Sequence, residues 1–428
     1  MNLFICLPVW LGYAACAGVA LFIAGQVTFL LLHFRLRPRG LAEEQALLSQ
    51  PLPPATQLPH VAVQLPVYNE GEIIRRAIAA AAALDWPRDK LHIQVCDDST
   101  DATTQHAEAE IRTQDKNLDI KIVRRPTRDA FKAGSLRHAM SETDSEYFAI
   151  FDVDYIPPPD YLKRCMAPLL ANPRLAFVQA RPGFLNRDES ALTKAQAMEL
   201  DAHYCVEQTT RSWAELPLPF NGTCGIWRRA AIDLSGGWQG NTIAEDMELS
   251  YAAWLKGWQG LFVTSVEVPG ELPADRKAWL LQQERWLVGS GQAIKPILSA
   301  IWRDGRLSPL KKLVAAMNIA SWWLSVAINV AIAATAVSLV LDPGAGLVLL
   351  AVVVSLLTVL IGLLFVNLRT GNLNSGNKAP MARFVRDFAS YLACEVYKLG
   401  LHAITSRKAI LNSELGFNRT PKRGAQAG

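Results

Sequence analysis

Long uncharged stretches sit at both ends of the chain, and between them short apolar runs alternate with polar, helix-forming segments. The uncharged stretches run from about Leu3 to Leu32, Ser321 to Leu341 and Ala345 to Val366, each long enough for the roughly 20 residues that carry a helix across a bilayer. The first begins without charge and is too long for a secretory leader, and Arg35, Arg37 and Arg39 follow it. It therefore reads as a retained anchor. Positive flanks mark the cytoplasmic side of a span. These arginines place everything up to Lys312 inside the cell, Asp342-Pro343-Gly344 forms an external turn, and Arg369, Lys378, Arg383, Lys422 and Arg423 lie inside again. The expected location is the inner (plasma) membrane, with the middle of the chain in the cytosol.

Residues 37–59 contain Pro38, Pro51, Pro53, Pro54 and Pro59 among polar residues, which predicts a linker. Strands are predicted at Val61–Leu65, Leu91–Cys96, Ile120–Arg124 and Tyr147–Phe151, and helices at Glu70–Leu84, Ala102–Arg112 and Phe131–Met140. This alternation predicts an α/β domain, a parallel sheet wrapped on both faces. Trp279, Leu280, Trp286, Leu287 and Ile294 stand among polar residues from Lys277 to Ile301, predicting an amphipathic helix in the membrane interface. Arg386, Lys398 and Arg407 recur among apolar residues from Arg383 to Leu411, which reads as a further interfacial helix. The chain divides into an anchor (1–36), a linker (37–59), an α/β domain (60–270), interfacial helices (271–320), two spans (321–367) and a basic tail (368–428).

Half of the 428 residues are apolar and the net charge is +4, without the clustered basic face that nucleic-acid binding requires. The seven cysteines form no Cys-x-x-Cys pair, which argues against zinc and against a disulfide framework.

In sheets of this kind ligands collect beyond the carboxyl ends of the strands. Pro66–Glu70, Asp97–Thr100 and Asp152–Asp154 all fall at such ends. Asp152 and Asp154 flank Val153, so on extended backbone they point to one side and offer two hard oxygen donors for Mg2+ or Mn2+. Alone, Asp-x-Asp also suits a solvated turn; emergence from a buried strand favours a site. Of Asp97 and Asp98, one carboxylate suits a nucleobase N–H or a ribose hydroxyl and the other suits capping the helix that follows. Asp246 in Glu245-Asp246 suits a base that takes a proton from a sugar hydroxyl, although acids also favour a helix N-terminus through its dipole. In Gln282-Gln283-Glu284-Arg285-Trp286, Arg285 suits charge on a departing diphosphate and Trp286 offers a flat face to a sugar or to lipid, with plain interfacial anchoring as the alternative.

Taken in order, Pro66-Val67-Tyr68-Asn69-Glu70, Asp97-Asp98-Ser99-Thr100-Asp101, Lys132-Ala133-Gly134, Asp152-Val153-Asp154, Phe220-Asn221-Gly222-Thr223, Glu245-Asp246 and Gln282-Gln283-Glu284-Arg285-Trp286 resemble membrane-bound family 2 glycosyltransferases. The likeness is to the cellulose-synthase-like, glucomannan mannosyltransferase branch and covers roughly residues 60–300, with a further hint in Phe417–Lys422. It implies a GT-A fold (a Rossmann-like nucleotide-sugar-binding domain) with interfacial and transmembrane helices, a nucleotide-sugar donor, Mg2+ or Mn2+, and inversion at the anomeric carbon. It further implies that Pro66, Tyr68, Glu70, Asp97, Asp98, Lys132 and Asp152 hold the nucleotide sugar, and that Asp152 and Asp154 hold the metal. Asp246, together with Asp98, would form the catalytic set, Asp246 as base. Gly222, Thr223, Glu245, Gln282, Arg285 and Trp286 would serve acceptor and diphosphate.

The expected activity is transfer of a hexose from UDP-glucose or GDP-mannose to a growing β-glycan at the cytosolic membrane face. Single transfer to a lipid acceptor, as in enzymes resembling ceramide glucosyltransferases, is the alternative. Three spans are few for a glycan channel, so secretion of a polymer would call for a homo-oligomer or an accessory subunit. A catalytically silent glycan-binding scaffold is disfavoured by the intact acidic motifs, and a transporter by spans that carry no charged residues.

Overall fold

The structure, a computed structural model, describes residues 3–319 and 323–410. The Phe417–Lys422 motif, with Arg423, lies outside the described residues.

The chain opens with helix α1 (Leu3–Leu48) and continues with β1 (Val61–Val67), α2 (Ile73–Ala82), β2 (Leu91–Asp97), α3 (Thr103–Ile111), β3 (Asp119–Val123), α4 (Phe131–Ser141) and β4 (Tyr147–Ile150). There follow α5 (Tyr161–Ala171), β5 (Leu175–Phe184), α6 (Ala191–Ala202), a π-helical segment (His203–Gln208) and α7 (Thr209–Trp213). β6 (Gly225–Arg228), α8 (Arg229–Leu234), α9 (Glu245–Leu255) and β7 (Gln259–Gly270) complete the α/β domain. The remaining helices are α10 (Arg276–Arg303), α11 (Pro309–Ile319), α12 (Trp323–Leu341), α13 (Pro343–Asn374) and α14 (Met381–Ile410).

The strands form one sheet in the order β3-β2-β1-β4-β6-β5-β7. β1 to β4 are parallel, as the alternation of strands and helices predicts. The second half departs from that expectation, because β6 runs antiparallel to both β4 and β5 and makes the sheet mixed. β6 follows directly on the loop that carries Gly222 and Thr223, and its antiparallel register, with Gly225 opposite Ile150, brings that loop beside the end of β4.

Both faces of the sheet are covered, which explains why β1 is buried along nearly its whole length, Gln64 included, rather than at alternate positions. On one face Ile74, Ala77, Ile78 and Ala81 of α2 repeat at helical spacing and pack with Ala107 of α3 and with Tyr161, Leu162 and Met166 of α5. The other face is covered by Leu136 and Met140 of α4, Ile232 of α8 and Leu249 of α9, around Trp227 of β6. The Trp227 ring lies against Phe177, Phe220 and Trp238.

The predicted linker begins later than expected, because α1 runs straight through Pro38 to Leu48. Its 46 residues extend about 69 Å at ~1.5 Å per residue, more than twice the ~30 Å apolar thickness of a bilayer. The excess is a stalk that docks on the α/β domain: buried Glu44 accepts hydrogen bonds from the backbone N–H of Thr264 (2.8 Å) and Ser265 (2.9 Å) and from the Ser265 hydroxyl (2.8 Å). Those bonds hold helical a segment whose proline suggests a break.

Among the described residues three helices are long and apolar enough to cross a membrane: Cys6–Leu48, Trp323–Leu341 and Pro343–Asn374. α14 is not one of them. It packs on α6 and α10, with Phe384, Phe388 and Tyr391 buried against α6 and α13, and buried Lys398 is paired with Glu199 at 2.6 Å.

Candidate active site

The loops after β1 and β2 are stitched together. Asn69 sits at φ +56, donates its N–H to Ser99 Oγ (2.9 Å) and accepts from the Thr100 N–H through Oδ1 (2.8 Å). Asn tolerates this left-handed backbone better than most residues. The two aspartates divide their roles as the sequence allows. Asp97, fully buried, accepts from the Ser99 N–H (2.8 Å) and the Thr104 hydroxyl (2.6 Å), which makes it the residue that fixes the turn into α3. Asp98 faces a bidentate Arg125 at 2.8 and 2.6 Å, with side chains only 7% and 8% exposed. Arg128 lies 4.0 Å from Asp98 and stacks over Tyr68, its guanidinium carbon 3.4 Å from the ring centroid. Pro66 is the penultimate residue of β1, opposite Cys96, and Glu70 is partly buried in the loop that follows.

Arg125 and Arg128 join this candidate site through Asp98 and Tyr68, although no motif in the sequence pointed to them. Their signal is the basic run Arg124-Arg125-Pro126-Thr127-Arg128 directly after β3, at the strand end where an anionic nucleotide would collect.

Asp152 and Asp154 do not lie on extended backbone. β4 stops at Ile150, and the Tyr155 N–H closes a turn on the Asp152 carbonyl at 3.0 Å. Rotation through the turn separates the two environments: Asp154 is buried, whereas the Asp152 carboxylate meets Lys132 Nζ at 2.5 Å. Arg76 of α2 reaches the Asp154 carbonyl at 3.5 Å, and the Asp152 N–H donates to Thr223 Oγ1 at 3.0 Å.

Lys132 is the hub of the site. Its ammonium also donates to the Gly222 carbonyl at 2.9 Å, bridging the end of β4 to the loop before β6. It stands on the first turn of α4, which is entered through two left-handed residues, Ala130 (φ +57) and Phe131 (φ +43). Such backbone costs about 1–3 kcal/mol per residue and persists only where surrounding contacts impose it. Here Arg125 supplies them, donating to the Phe131 carbonyl at 2.7 Å and to the Asp129 carbonyl at 2.5 Å. Gly134 completes the motif for lack of space, since a Cβ there would lie 2.0 Å from the Asp129 carbonyl oxygen.

Gly222 itself has φ +77, and a Cβ on it would fall 2.9 Å from Asp246 Oδ2 and 3.6 Å from Lys132 Nζ. This glycine brings backbone against the Asp246 carboxylate, as close approach requires. Asp246 lies in the first turn of α9, with its Oδ1 accepting from the Met247 N–H at 2.8 Å. Burial pushes the Asp246 carboxyl above its ordinary range, against the opposing pull of Lys132. Burial and the adjacent Asp246 charge likewise raise Glu245. For Lys132 burial acts downward, but the carboxylates of Asp152, Glu245 and Asp246 outweigh it and hold the ammonium above its usual value.

α10 closes the opposite side. Gly289 lets it pack on Ile243 and Ala244, immediately before Glu245, and Gln292 Oε1 accepts from the Ile243 N–H at 3.1 Å. Arg285 is pulled below the usual guanidinium value by burial while feeling the charges of Asp152, Glu245, Asp154 and Asp246, so the four carboxylates share one electrostatic neighbourhood. It remains charged, as guanidinium does in proteins. Gln282 is partly buried on the same helix, and the Trp286 indole is 43% exposed one residue beyond Arg285.

Among the described residues no group of three or more His, Cys, Asp or Glu side chains could cage a metal on its own. Asp152 and Asp154 nevertheless suit a hard divalent cation that keeps water and takes its other ligands from a diphosphate, which is how Mg2+ is usually held beside phosphates.

Residues 147–366, just over half of the chain, match the family described as glycosyl transferase family group 2. The chain is 41% identical over 264 residues to glucomannan 4-beta-mannosyltransferase 2 of Arabidopsis thaliana, covering 60% of this chain and 49% of that protein. It is 42% identical over 261 residues to probable glucomannan 4-beta-mannosyltransferase 6 of Oryza sativa subsp. japonica, covering 60% and 45%. The chain thus spans about half the length of these curated relatives. Among solved structures, a mannosyltransferase from Pyrobaculum calidifontis in complex with GDP-Man and Mn2+ shares the fold, with a TM-score of 0.55 and 22% identity over 83% of this chain and 98% of that one.

Proposed function

We propose a reaction for this chain on one premise: it belongs to glycosyl transferase family group 2. The chain moves a hexose from a nucleotide sugar to a hydroxyl of a growing β-glycan at the cytosolic face of the inner (plasma) membrane, with inversion. GDP-mannose is the first donor to test and UDP-glucose the second, an order supported by the names of the similar glucomannan mannosyltransferases and by the GDP-Man bound to the mannosyltransferase of like fold.

The observation that carries this reading is the Lys132 ammonium, held between Asp152 (2.5 Å) and the Gly222 carbonyl (2.9 Å) with Asp246 packed on Gly222. Four motifs far apart in sequence meet there. Asp246, a partly buried carboxylate with a raised pKa, removes the proton of the acceptor hydroxyl as that oxygen attacks the anomeric carbon. Lys132 and Arg285 face the charge that develops on the departing diphosphate, where fixed cations stabilise the transition state more than the ground state. Asp152 and Asp154 would hold Mg2+ or Mn2+, which supplies further positive charge to the diphosphate oxygens. The nucleoside lies along Tyr68, Glu70 and Asp98, and Trp286 offers its exposed face to the acceptor.

The test is labelled donor with membranes or purified protein, with Mn2+ or Mg2+ and then with EDTA, followed by mass analysis of the product. A ladder of hexose additions that EDTA abolishes is the expected result. A lipid carrying one added sugar would replace the glycan acceptor by a lipid; no transfer from any nucleotide hexose would overturn the reading.

A further inference from the structure

The π-helical segment His203–Gln208 interrupts an otherwise α-helical run from Ala191 to Trp213. Such bulges are rare and concentrate at functional sites. His203, on its first position, lies against the loop that presents Gly222 to Asp246: its Nε2 is 3.2 Å from Asn221 Oδ1, and its Nδ1 is 3.1 Å from Glu207 Oε2.

The direction of every hydrogen bond in this chain of contacts can be worked out from one fixed end. The Thr223 carbonyl only accepts, so the Gln179 amide points its Nε2 there (2.8 Å). Gln179 Oε1 must then face Asn221, and it accepts from both the Asn221 backbone N–H (3.4 Å) and the Asn221 Nδ2 (3.1 Å). With Nδ2 committed, Asn221 turns Oδ1 toward His203, and an amide oxygen only accepts. On its other side His203 meets a carboxylate, also an acceptor. Both ring nitrogens therefore carry protons.

We propose that His203, as an imidazolium, is a positioning residue that braces the loop Asn221–Thr223 against the base and the metal-binding turn. The brace rests on the assignment of Asp246 as base given above, and it reaches from the membrane helices to the site. Glu207 also takes Arg211 Nη2 at 2.9 Å; Arg211 lies 4.9 Å from the Phe29 ring of α1 and α13 packs against the π segment, so the loop is tied to two of the three helices long and apolar enough to cross a membrane. At the far end Thr223 receives the Asp152 N–H.

The charges around His203 favour the doubly protonated ring. Burial acts against it, but Glu207 and Asn221 raise its pKa, while Arg211 opposes. Glu207 is held below its ordinary range, because Arg211 and His203 outweigh its burial. From the neighbouring elements, Asp201 of α6 is paired with Arg187, Arg181 of β5 with Glu267 of β7, and His33 of α1 bonds Thr210. The imidazole is 31% exposed, so its proton exchanges with water.

Hydrogen–deuterium exchange of the purified full-length chain reads this without any substrate. His203→Ala should speed exchange of the amides around Asn221–Thr223 by about tenfold or more, the weight of one charge-assisted hydrogen bond. His203→Gln, which keeps an N–H donor toward Asn221 but cannot titrate, should restore most of the protection. Raising the pH from about 6 to 9, where imidazolium is lost, should loosen the wild-type loop beyond the intrinsic exchange rate and leave His203→Gln unaffected. Wild-type exchange in His203→Ala, or equal loss in the Ala and Gln variants with no pH dependence, would overturn the proposal. Turnover of Asp246→Asn bears on the base assignment alone, so the two readings fail separately.

Discussion

The two ends of the site solve opposite electrostatic problems. At the β1–β2 end, Asp97 and Asp98 are each matched: one by Ser99 and Thr104, the other by a bidentate Arg125. At the β4–β6 end, Asp152, Glu245, Asp246 and Asp154 crowd around Lys132 and Arg285, and burial drives Glu245 and Asp246 toward the protonated form. On the proposed reading the matched end binds the nucleotide, and the crowded end carries the proton transfer, where perturbed carboxylates generally collect.

The comparison can be broken by removing groups one at a time. The largest effect belongs to Asp246→Asn, expected to reduce transfer by about 10³-fold, within the ~10²–10⁴-fold usual for a general base, while donor binding by calorimetry stays near wild type. Lys132→Ala should follow with a loss of about 10²-fold in kcat, comparable to deleting one fixed charge-stabilising donor, and its effect should exceed that on KM for the donor.

At the matched end, Asp98→Asn should act on binding rather than turnover. It leaves one neutral acceptor oxygen where the carboxylate offered Arg125 two charged ones, and about 1.5–3 kcal/mol for a lost charged hydrogen bond predicts a roughly tenfold or greater rise in donor KM with little change in kcat. It should also lower Tm, because buried Arg125 loses its counter-charge. An equal fall in kcat would erase the distinction between the two ends.

The smallest effect is a shift of the pH profile. A base with a raised pKa loses activity as pH falls through that raised value, so the acid limb of kcat should lie above the ordinary carboxylate range. Glu245→Gln should leave the limb in place, because burial and Asp152 raise Asp246, whereas Glu245 is the member of the pair that responds to the Asp246 charge. A limb that moves by about one unit or more would contradict that direction of coupling.

The matched end was also the legible end. Strands β1 to β4 fall within a residue or two of the apolar runs that announced them, because β1, β2 and β4 are buried on both faces, edge strand β3 is half-buried, and all four are bounded by polar loops. The crowded end was legible only as motifs. β5 carries Arg181 and Pro182 inside its run, and β6 is four residues long, so periodicity points to neither. Pro38 suggested a break that the docking of Glu44 overrides. Asp152 and Asp154 were identified by type, but their turn depends on Arg76 and Thr223, which are remote in sequence. Arg125, Arg128 and His203 stand outside the acidic motifs, and their roles emerge only from the partners the fold brings to them.

The central claim is that the acidic motifs, the Lys132 ammonium and Arg285 surround one diphosphate. A cryo-EM map of the full chain with GDP and Mn2+ tests it directly. The account predicts metal density at Asp152 and Asp154, the diphosphate within reach of Lys132 and Arg285, and Asp246 across from it on the acceptor side. Nucleotide density away from Lys132, or metal density remote from both aspartates, would contradict it.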